Sequence, residues 1–357
     1  MEILRPLQKH IISQIIDNYN GDLPFHLYFN QLMKKNRNWG SKDRKLYRHF
    51  AFQYFRLGKF VHQFENTAAV IDFISCNDFS ESVNIEQIFP YPDIISKKIN
   101  HQSWSKGMLY QRPIYLAVNK KYSNKLLPFL KDSNIEYTEL NELLIQLPYD
   151  TSCQKIIENG WAWIMDVASQ KIIDKVDIRE YASVWDCCSG AGGKSLFLKN
   201  KFNFKWSLTC SDIRANIINN LKKRFQLLGF SMPNLLQKDL TIELLGNDLF
   251  DIVIADVPCS GSGTWGRNPE NLLKFNLVEI ETFAKLQKKI VTHAIHSLKL
   301  GGELFYMTCS VFEMENEMNR DFFINQLGLE FIEDAYSFLN DKESDYLYMA
   351  KFKKIKV

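Results

Sequence analysis

The sequence predicts an α/β fold: a mostly parallel sheet wound with crossover helices over residues 171–357, preceded by a small α+β module at 108–170 and a helical segment at 1–107. Three observations predict the main domain. From Ser183 onward, short β-branched runs alternate with helical patterns almost to the last residue, as crossovers between parallel strands require. One run, with Phe250, Ile252, Val253, Ile254 and Ala255, is apolar at nearly every position, the pattern of a strand buried on both faces. Several of these strands stop at a carboxylate or a thiol followed by small residues. That is the edge at which open α/β sheets bind ligands.

Length and composition bound the reading. At 357 residues the chain is long for one core, so two or three domains are expected. Hydrophobic residues make up 46% and charged residues 24%, the balance of a soluble globular protein. No run approaches the ~18 apolar residues of a membrane span, and MEILRPLQKH reads as neither a signal nor a transit peptide. Seven cysteines suit no disulfide framework, and no C-x-x-C pair suggests zinc. A cytoplasmic monomer without a metal is the expectation.

Residues 1–75 read as helices. Ile11, Ile12, Ile15 and Ile16 share one face, and Phe50, Tyr54, Phe55 and Leu57 repeat the pattern. Residues 1–60 hold eleven Lys/Arg against four Asp/Glu, whereas residues 61–100 hold two against six. A basic first segment in a near-neutral protein points to a polyanion, or else to a solvated helix face. Trp39, Arg44, Lys45, Tyr47, Arg48 and His49 interleave cations with aromatics, which suits phosphate contact and base stacking as well as helix–helix packing. Residues 76–107 read as an acidic connector with one or two short helices. From Pro113, IYLAVN, SNKLLPFLKDSN, IEYTEL and LLIQL read as strand, helix, strand, strand, an RRM-like make-up. The segment 158–170 leads into the main domain. There VWD, WSLTC, NLL, LFDIVIAD and ELFYMT read as strands. Helices are expected from Lys194, across 213–228, near 279–299 and near 313–326, with DYLYMAKFKK as a last, edge-adding strand.

Four stretches carry chemistry. In SVWDCCSGAGGKS, a strand ends at Asp186 and a loop of Cys188, Ser189, Gly190, Ala191, Gly192 and Gly193 opens a helix at Lys194. Such a loop lets a ligand approach backbone N–H groups at a helix start. A phosphate-binding P-loop needs glycine where Cys188 stands, and a dinucleotide fingerprint needs it at Ser195. An adenosyl-methionine loop needs only an acidic strand end and small residues, which are present. Asp212 ends the next strand, 26 residues after Asp186, where a carboxylate accepts ribose hydroxyls or caps a helix. Asp239 follows the third strand and is a candidate for the adenine amino group. Asp256 and Cys259 lie in DVPCSGSGT, and Cys309 lies in MTCS, at the ends of two strands expected to be neighbours. Two such thiols are nucleophile, base or inert packing.

DCCSGAGGKS, DVPCSGSGT followed by RNP (267–269), and MTCS followed by ENE (315–317) resemble the RNA (cytosine-5) methyltransferases of the RsmB/NOP family. The resemblance covers about 110–357, and the pairing of P-C-S with T-C-S is highly specific. AVNKK and MDVASQ are similar to two further elements of that family. The chain departs from it at Ala117, Met165 and Ser189–Ala191. Residues 1–75 resemble, weakly, the NusB-like helical domain of some members. The resemblance implies a Rossmann-like domain using S-adenosyl-methionine, bound by the residues from Asp186 to Lys194 with Asp212, Asp239 and Asp256. It implies that Cys309 attacks cytosine C6, that Cys259 assists C5 proton loss and release, that Asp256 holds the base edge and that Lys194 supports it. Lys194, Arg267 and nearby N–H groups would favour the thiolate, since a free thiol titrates near about 8.5. The base must leave its stack to be reached. Small-subunit rRNA is the expected substrate. A tRNA methyltransferase, a catalytically silent RNA-binding assembly factor and a P-loop NTPase are the alternatives.

Overall fold

The computed structural model describes residues 4–76, 82–247, 249–340 and 342–356. They form two compact units: Met1–Arg112 with Thr264–Leu277 and Asp341–Glu343, and Pro113–Gly263 with Val278–Asn340 and Ser344–Val357. These divisions differ from the boundaries expected at 107/108 and 170/171. The first unit takes in a stretch from deep inside the second half of the sequence. The second unit keeps the small module together with the main sheet.

The first unit is helical, with helices at Pro6–Asp17, Phe25–Lys35, Ser41–Arg56 and Thr67–Cys76. Its apolar faces meet as the 3.6 period requires, with Ile12, Ile15, Ile16, Phe50 and Phe55 buried. The cation–aromatic stretch divides between both of its readings. Tyr47 is buried with Trp39 edge-on at 5.2 Å, while Lys45, Arg48 and His49 stay exposed. The stretch expected as a connector is core instead. Its described part carries the short helices Ile85–Ile88, Pro92–Ile94 and His101–Gly107, and it buries Phe89 and Trp104. Polar composition hides these anchors, because two aromatics can hold a segment whose other residues are hydrophilic.

Thr264–Leu277 completes that core. Trp265 lies 5.8 Å from Phe89 and 6.1 Å from Trp104 between ring centres, and Phe275 lies 4.9 Å from Phe89. Arg56, 1% exposed, donates to the carbonyls of Met108, Tyr110 and Gly266 and to Gln111 Oε1. Burial, then the neighbouring Arg112, pull its guanidinium down to about 9, with Glu270 opposing them. Glu270 Oε1 accepts the N–H of Phe25 at 2.9 Å. Helices far apart in sequence are thus closed around a segment that leaves the main domain five residues after Cys259.

The second unit holds two sheets. Strands β1 (Ile114–Val118), β2 (Thr138–Asn141), β3 (Leu144–Leu147) and β4 (Ala162–Ile164) form an antiparallel sheet in the order β2-β3-β1-β4. β4 is three residues long, too short for an alternating pattern to mark it in the sequence. The larger sheet comprises β5 (Ser183–Asp186), β6 (Ser207–Asp212), β7 (Asn234–Gln237), β8 (Phe250–Asp256), β9 (Leu298–Thr308), β10 (Leu329–Ser337) and β11 (Leu347–Lys354), in the order β10-β11-β9-β8-β5-β6-β7. β5 to β9 run parallel, while β11 pairs antiparallel with both β9 and β10. The last strand is therefore interior, and β10, absent from the strands expected from sequence, takes the edge. β10 is only partly buried, so its residues lack the apolar run that betrays an inner strand. The long helix also ends earlier than expected, at Ala294, and β9 begins at Leu298.

Alternate residues of the strands feed two cores. Val184, Ile252, Ile254, Phe305 and Met307 face one side with Phe197 and Leu221, and Trp185, Val253, Ala255, Leu304 and Tyr306 face the other. Ala117, Leu143, Trp163 and Met165 of the small module join the first of these cores. Ala117 and Met165, where the chain departs from the family pattern, are thus packing residues. Among the described residues no helix is long and apolar enough to cross a membrane.

Candidate active site

Strand order sets the site. Counting outward from β5, the chain first adds β6 and β7 on one side, then β8 and β9 on the other. At such a switch the connections leave in opposite directions and open a crevice at the carboxyl ends of the strands. Asp186 ends β5 and Asp256 ends β8, so both carboxylates border it.

The loop after β5 is pinned by its own backbone. Ser189 N–H donates to the Ser211 carbonyl at 2.9 Å, Gly190 N–H to Asp212 Oδ2 at 3.1 Å, and Gly192 N–H to the Ser189 carbonyl at 2.8 Å. Gly192 has φ +79°, and a Cβ there would fall 2.0 Å from Leu221 Cδ1, so only glycine fits. Gly190 and Gly193 differ, because a Cβ at either meets nothing within 4 Å. The loop therefore turns an open glycine surface toward the crevice. Cys187 is buried in the core, and Cys188 is half-buried. Asp186 is 1% exposed; Ser195 Oγ donates to its Oδ2 at 2.6 Å, while Oδ1 has no hydrogen-bond partner. Burial pushes this carboxyl up to about 7 against the Ser195 hydrogen bond. A buried acceptor beside an open glycine surface suits a ligand that brings its own donor.

Asp212 does two jobs at the end of β6. Its Oδ1 accepts the Arg214 N–H at 3.0 Å, and both oxygens receive the Arg214 guanidinium at 2.9 and 3.0 Å. Arg214 is itself the N-cap of the next helix, in place of the capping role open to Asp212. Burial opposes the charge, but the Arg214 and Gly190 donors outweigh it and hold this carboxyl below its ordinary range. Asp239 lies two residues past β7, and its Oδ1 accepts both the N–H and the hydroxyl of Thr241. That oxygen is committed to its own turn.

The two thiols meet. Asp256 pairs with Met307 across β8 and β9, so Cys259 and Cys309, three and two residues further on, leave neighbouring strand ends together. Their Sγ atoms are 3.3 Å apart. Gly263 N–H donates to the Cys309 carbonyl at 2.9 Å, and a Cβ on Gly263 would sit 2.0 Å from the Tyr346 carbonyl oxygen. The second glycine of the S-G-S-G turn is required by that close approach. The Cys309 hydrogen bond, then burial, push the Cys259 thiol well up. Lys194 Nζ reaches Asp256 Oδ2 at 2.5 Å and links the glycine-loop helix to β8. Burial works against the Lys194 charge, but Asp256 outweighs it and holds the ammonium above its usual range. Arg267 falls in the Thr264–Leu277 segment of the first unit. Among the described residues no group of His, Cys, Asp and Glu could hold a metal ion.

Sequence patterns do not reveal the residues that frame this site. Ser195, Ser211, Gln287 and Tyr306 are buried polar groups on apolar elements, and spacing alone does not mark them. Glu315 is visible only as part of a resembling motif.

A doubly wound sheet with an open glycine loop, acidic strand ends and paired thiols at its switch point defines a Rossmann-like, adenosyl-methionine-dependent methyltransferase domain. Residues 175–333 match the family model described as 16S rRNA methyltransferase RsmB/F. Over 212 residues the chain is 27% identical to ribosomal RNA small subunit methyltransferase B of Vibrio vulnificus, covering 57% of this chain and 49% of that one. Over 204 residues it is 28% identical to the tRNA (cytosine(72)-C(5))-methyltransferase NSUN6 of Mus musculus, covering 54% and 41%. The chain thus spans about half the length of the curated relatives it matches. The fold is shared with the crystal structure of PH0851, at a TM-score of 0.75 and 18% identity over 99% of this chain and 100% of that one. It is also shared with NSun6 from Pyrococcus horikoshii, at 0.65 and 17% identity over 75% of this chain and 97% of that one.

Proposed function

We propose that this protein methylates C5 of a cytosine in RNA through a covalent bond from Cys309 to C6, with small-subunit rRNA as the substrate class. The observation that carries the reading is the Cys259–Cys309 approach at 3.3 Å beside the Lys194–Asp256 pair. The open space at Gly190 and Gly193, the unpartnered Asp186 oxygen and Asp212 fit adenosyl-methionine. When bound, the cofactor supplies an electrophilic methyl group. Asp212 would take the ribose diol once Arg214 yields its two hydrogen bonds.

The residues divide the work. Cytosine C5 is too electron-poor to take an alkyl group directly. The Cys309 thiolate adds to C6, forming a C–S bond and moving an electron pair onto C5, which becomes the nucleophile. Asp256, held by Lys194, faces the N3/N4 edge and stabilises the ring as its charge changes. After C5 has gained its substituent, Cys259 assists removal of the C5 proton. The electrons left behind restore the C5–C6 double bond and expel Cys309 as thiolate.

Bisulfite sequencing of cellular rRNA and tRNA, with and without this protein, tests the reading. Loss of 5-methylcytosine at an rRNA position supports the substrate class. Loss confined to tRNA moves it to that of the mouse relative, and no loss in either retires the activity.

Two outcomes follow from the parts of the site. A ligand that binds only the folded form raises the melting temperature. Adenosyl-methionine is expected to do so, and Asp212→Ala to remove most of the rise. A shift with ATP–magnesium and none with adenosyl-methionine would favour the P-loop alternative. RNA docking is expected of the exposed cations Lys34, Lys35, Arg37, Lys42, Lys45 and Arg48 on the second and third helices and the turn between them. Changing three of them to Gln is expected to flatten the slope of log K against log salt by about 0.7 for each phosphate that the protein no longer neutralises on a single strand. Deleting residues 1–75 is a poor form of this test, because it removes Arg56 and Phe25, whose hydrogen bonds hold Gly266 and Glu270.

A further inference from the structure

One buried carboxylate is shared by the two cysteine loops. Glu315 has no exposed surface. Its Oε1 accepts Ser260 N–H and Gln287 Nε2, both at 2.9 Å, and its Oε2 accepts the hydroxyls of Ser260 and Ser310. Ser260 follows Cys259 and Ser310 follows Cys309. Gln287 also donates to the carbonyl of Pro258, the residue before Cys259, at 3.0 Å. Gln287 is itself fixed, since its Oε1 accepts Tyr306 and Asn319 at 2.9 and 2.7 Å.

We infer that Glu315 is the positioning residue of the cysteine pair, holding both thiol-bearing turns on one carboxylate and making the two thiols chemically unequal. This deepens the covalent reading above and rests on it. Charge-assisted hydrogen bonds from both turns to the same two oxygens fix their separation more tightly than packing alone. The charge also acts in one direction. Facing Cys259 are Cys309, Glu315 and the Tyr306 hydroxyl, with Asp256 on its own strand end, while Lys194 acts on Cys309. The Cys309 hydrogen bond, burial and the Glu315 charge all keep Cys259 protonated. A cysteine that keeps its proton does not compete with Cys309 for C6, and at release it can pass that proton to the departing Cys309 sulfur, 3.3 Å away, as it takes up the C5 proton.

The test is alkylation of the full chain by iodoacetamide from neutral to alkaline pH, with the Cys259 and Cys309 peptides quantified by mass spectrometry. Glu315→Gln keeps the shape and removes the charge. It is expected to lower the pH of half-alkylation at Cys259 by about one unit or more and to move Cys309 much less. Glu315→Asp keeps the charge and shortens the reach. It is expected to leave the Cys259 profile alkaline while kcat for methylation falls at least about tenfold with KM little changed. An unchanged Cys259 profile in Glu315→Gln, or equal shifts at both thiols, would overturn the inference. If Glu315→Gln does not fold, a neutral-shifted Cys259 in Glu315→Asp overturns it equally well. Methylation by the unaltered chain with no Cys309 adduct would instead sink the covalent reading and leave the alkylation result standing.

Discussion

Cys259→Ala is expected to accumulate a protein–RNA species that survives denaturing electrophoresis, and Cys309→Ala is expected to form none and to lose methylation entirely. The thiols sit 3.3 Å apart, so both reach the same base, and the two variants separate them by their order of action. If Cys309 makes the bond to C6, its removal deletes the nucleophile. If Cys259 acts after alkylation, its removal leaves bond formation intact and slows release. The trapped species should require both adenosyl-methionine and a cytosine at the target, and the double variant should show none. Trapping by Cys309→Ala with none by Cys259→Ala would exchange the roles. Trapping by neither would remove the covalent step.

Lys194→Met and Asp256→Asn are each expected to slow single-turnover methylation by about a hundredfold to a thousandfold, the range for removing one preorganised electrostatic partner. Lys194 is 11% exposed and Asp256 32%, with 2.5 Å between their charged atoms. Removing the ammonium leaves a carboxylate whose burial is no longer offset. Removing the carboxylate leaves a mostly buried ammonium and no group for the base edge. Because the two act as a unit, the double variant should lose little more than the worse single one, with a coupling energy close to the smaller single loss, about 2.7–4 kcal/mol in the cycle. Independent, additive losses would mean that Lys194 serves the cofactor loop alone. Asp212→Ala is the control: it should weaken adenosyl-methionine binding and leave the rate at saturating cofactor much less affected.

The sequence by itself determined the parallel core and the candidate groups at its strand ends. β5, β8 and the last part of β9 carry apolar residues on both faces, while β6 alternates them with Ser207, Thr209 and Ser211; these strands end at Asp186, Asp256, Thr308 (next to Cys309) and Asp212 respectively. Burial on two faces leaves a short apolar run bounded by turn residues, and a glycine loop after it has few physical uses. The tertiary structure alone decided how these ends are held. The Asp239–Thr241 and Asp212–Arg214 contacts span two residues, but those by which Glu315 and Gln287 join the cysteine turns reach across 55 and 29 positions. Local spacing carries no trace of them, because a buried polar side chain is placed by its partners and not by its period. The same holds for β10 at the sheet edge and for Thr264–Leu277, which is continuous in sequence with the Cys259 turn and yet belongs to the helical unit. Aromatic anchors spaced far apart along the chain closed that core, and only folding brings them together.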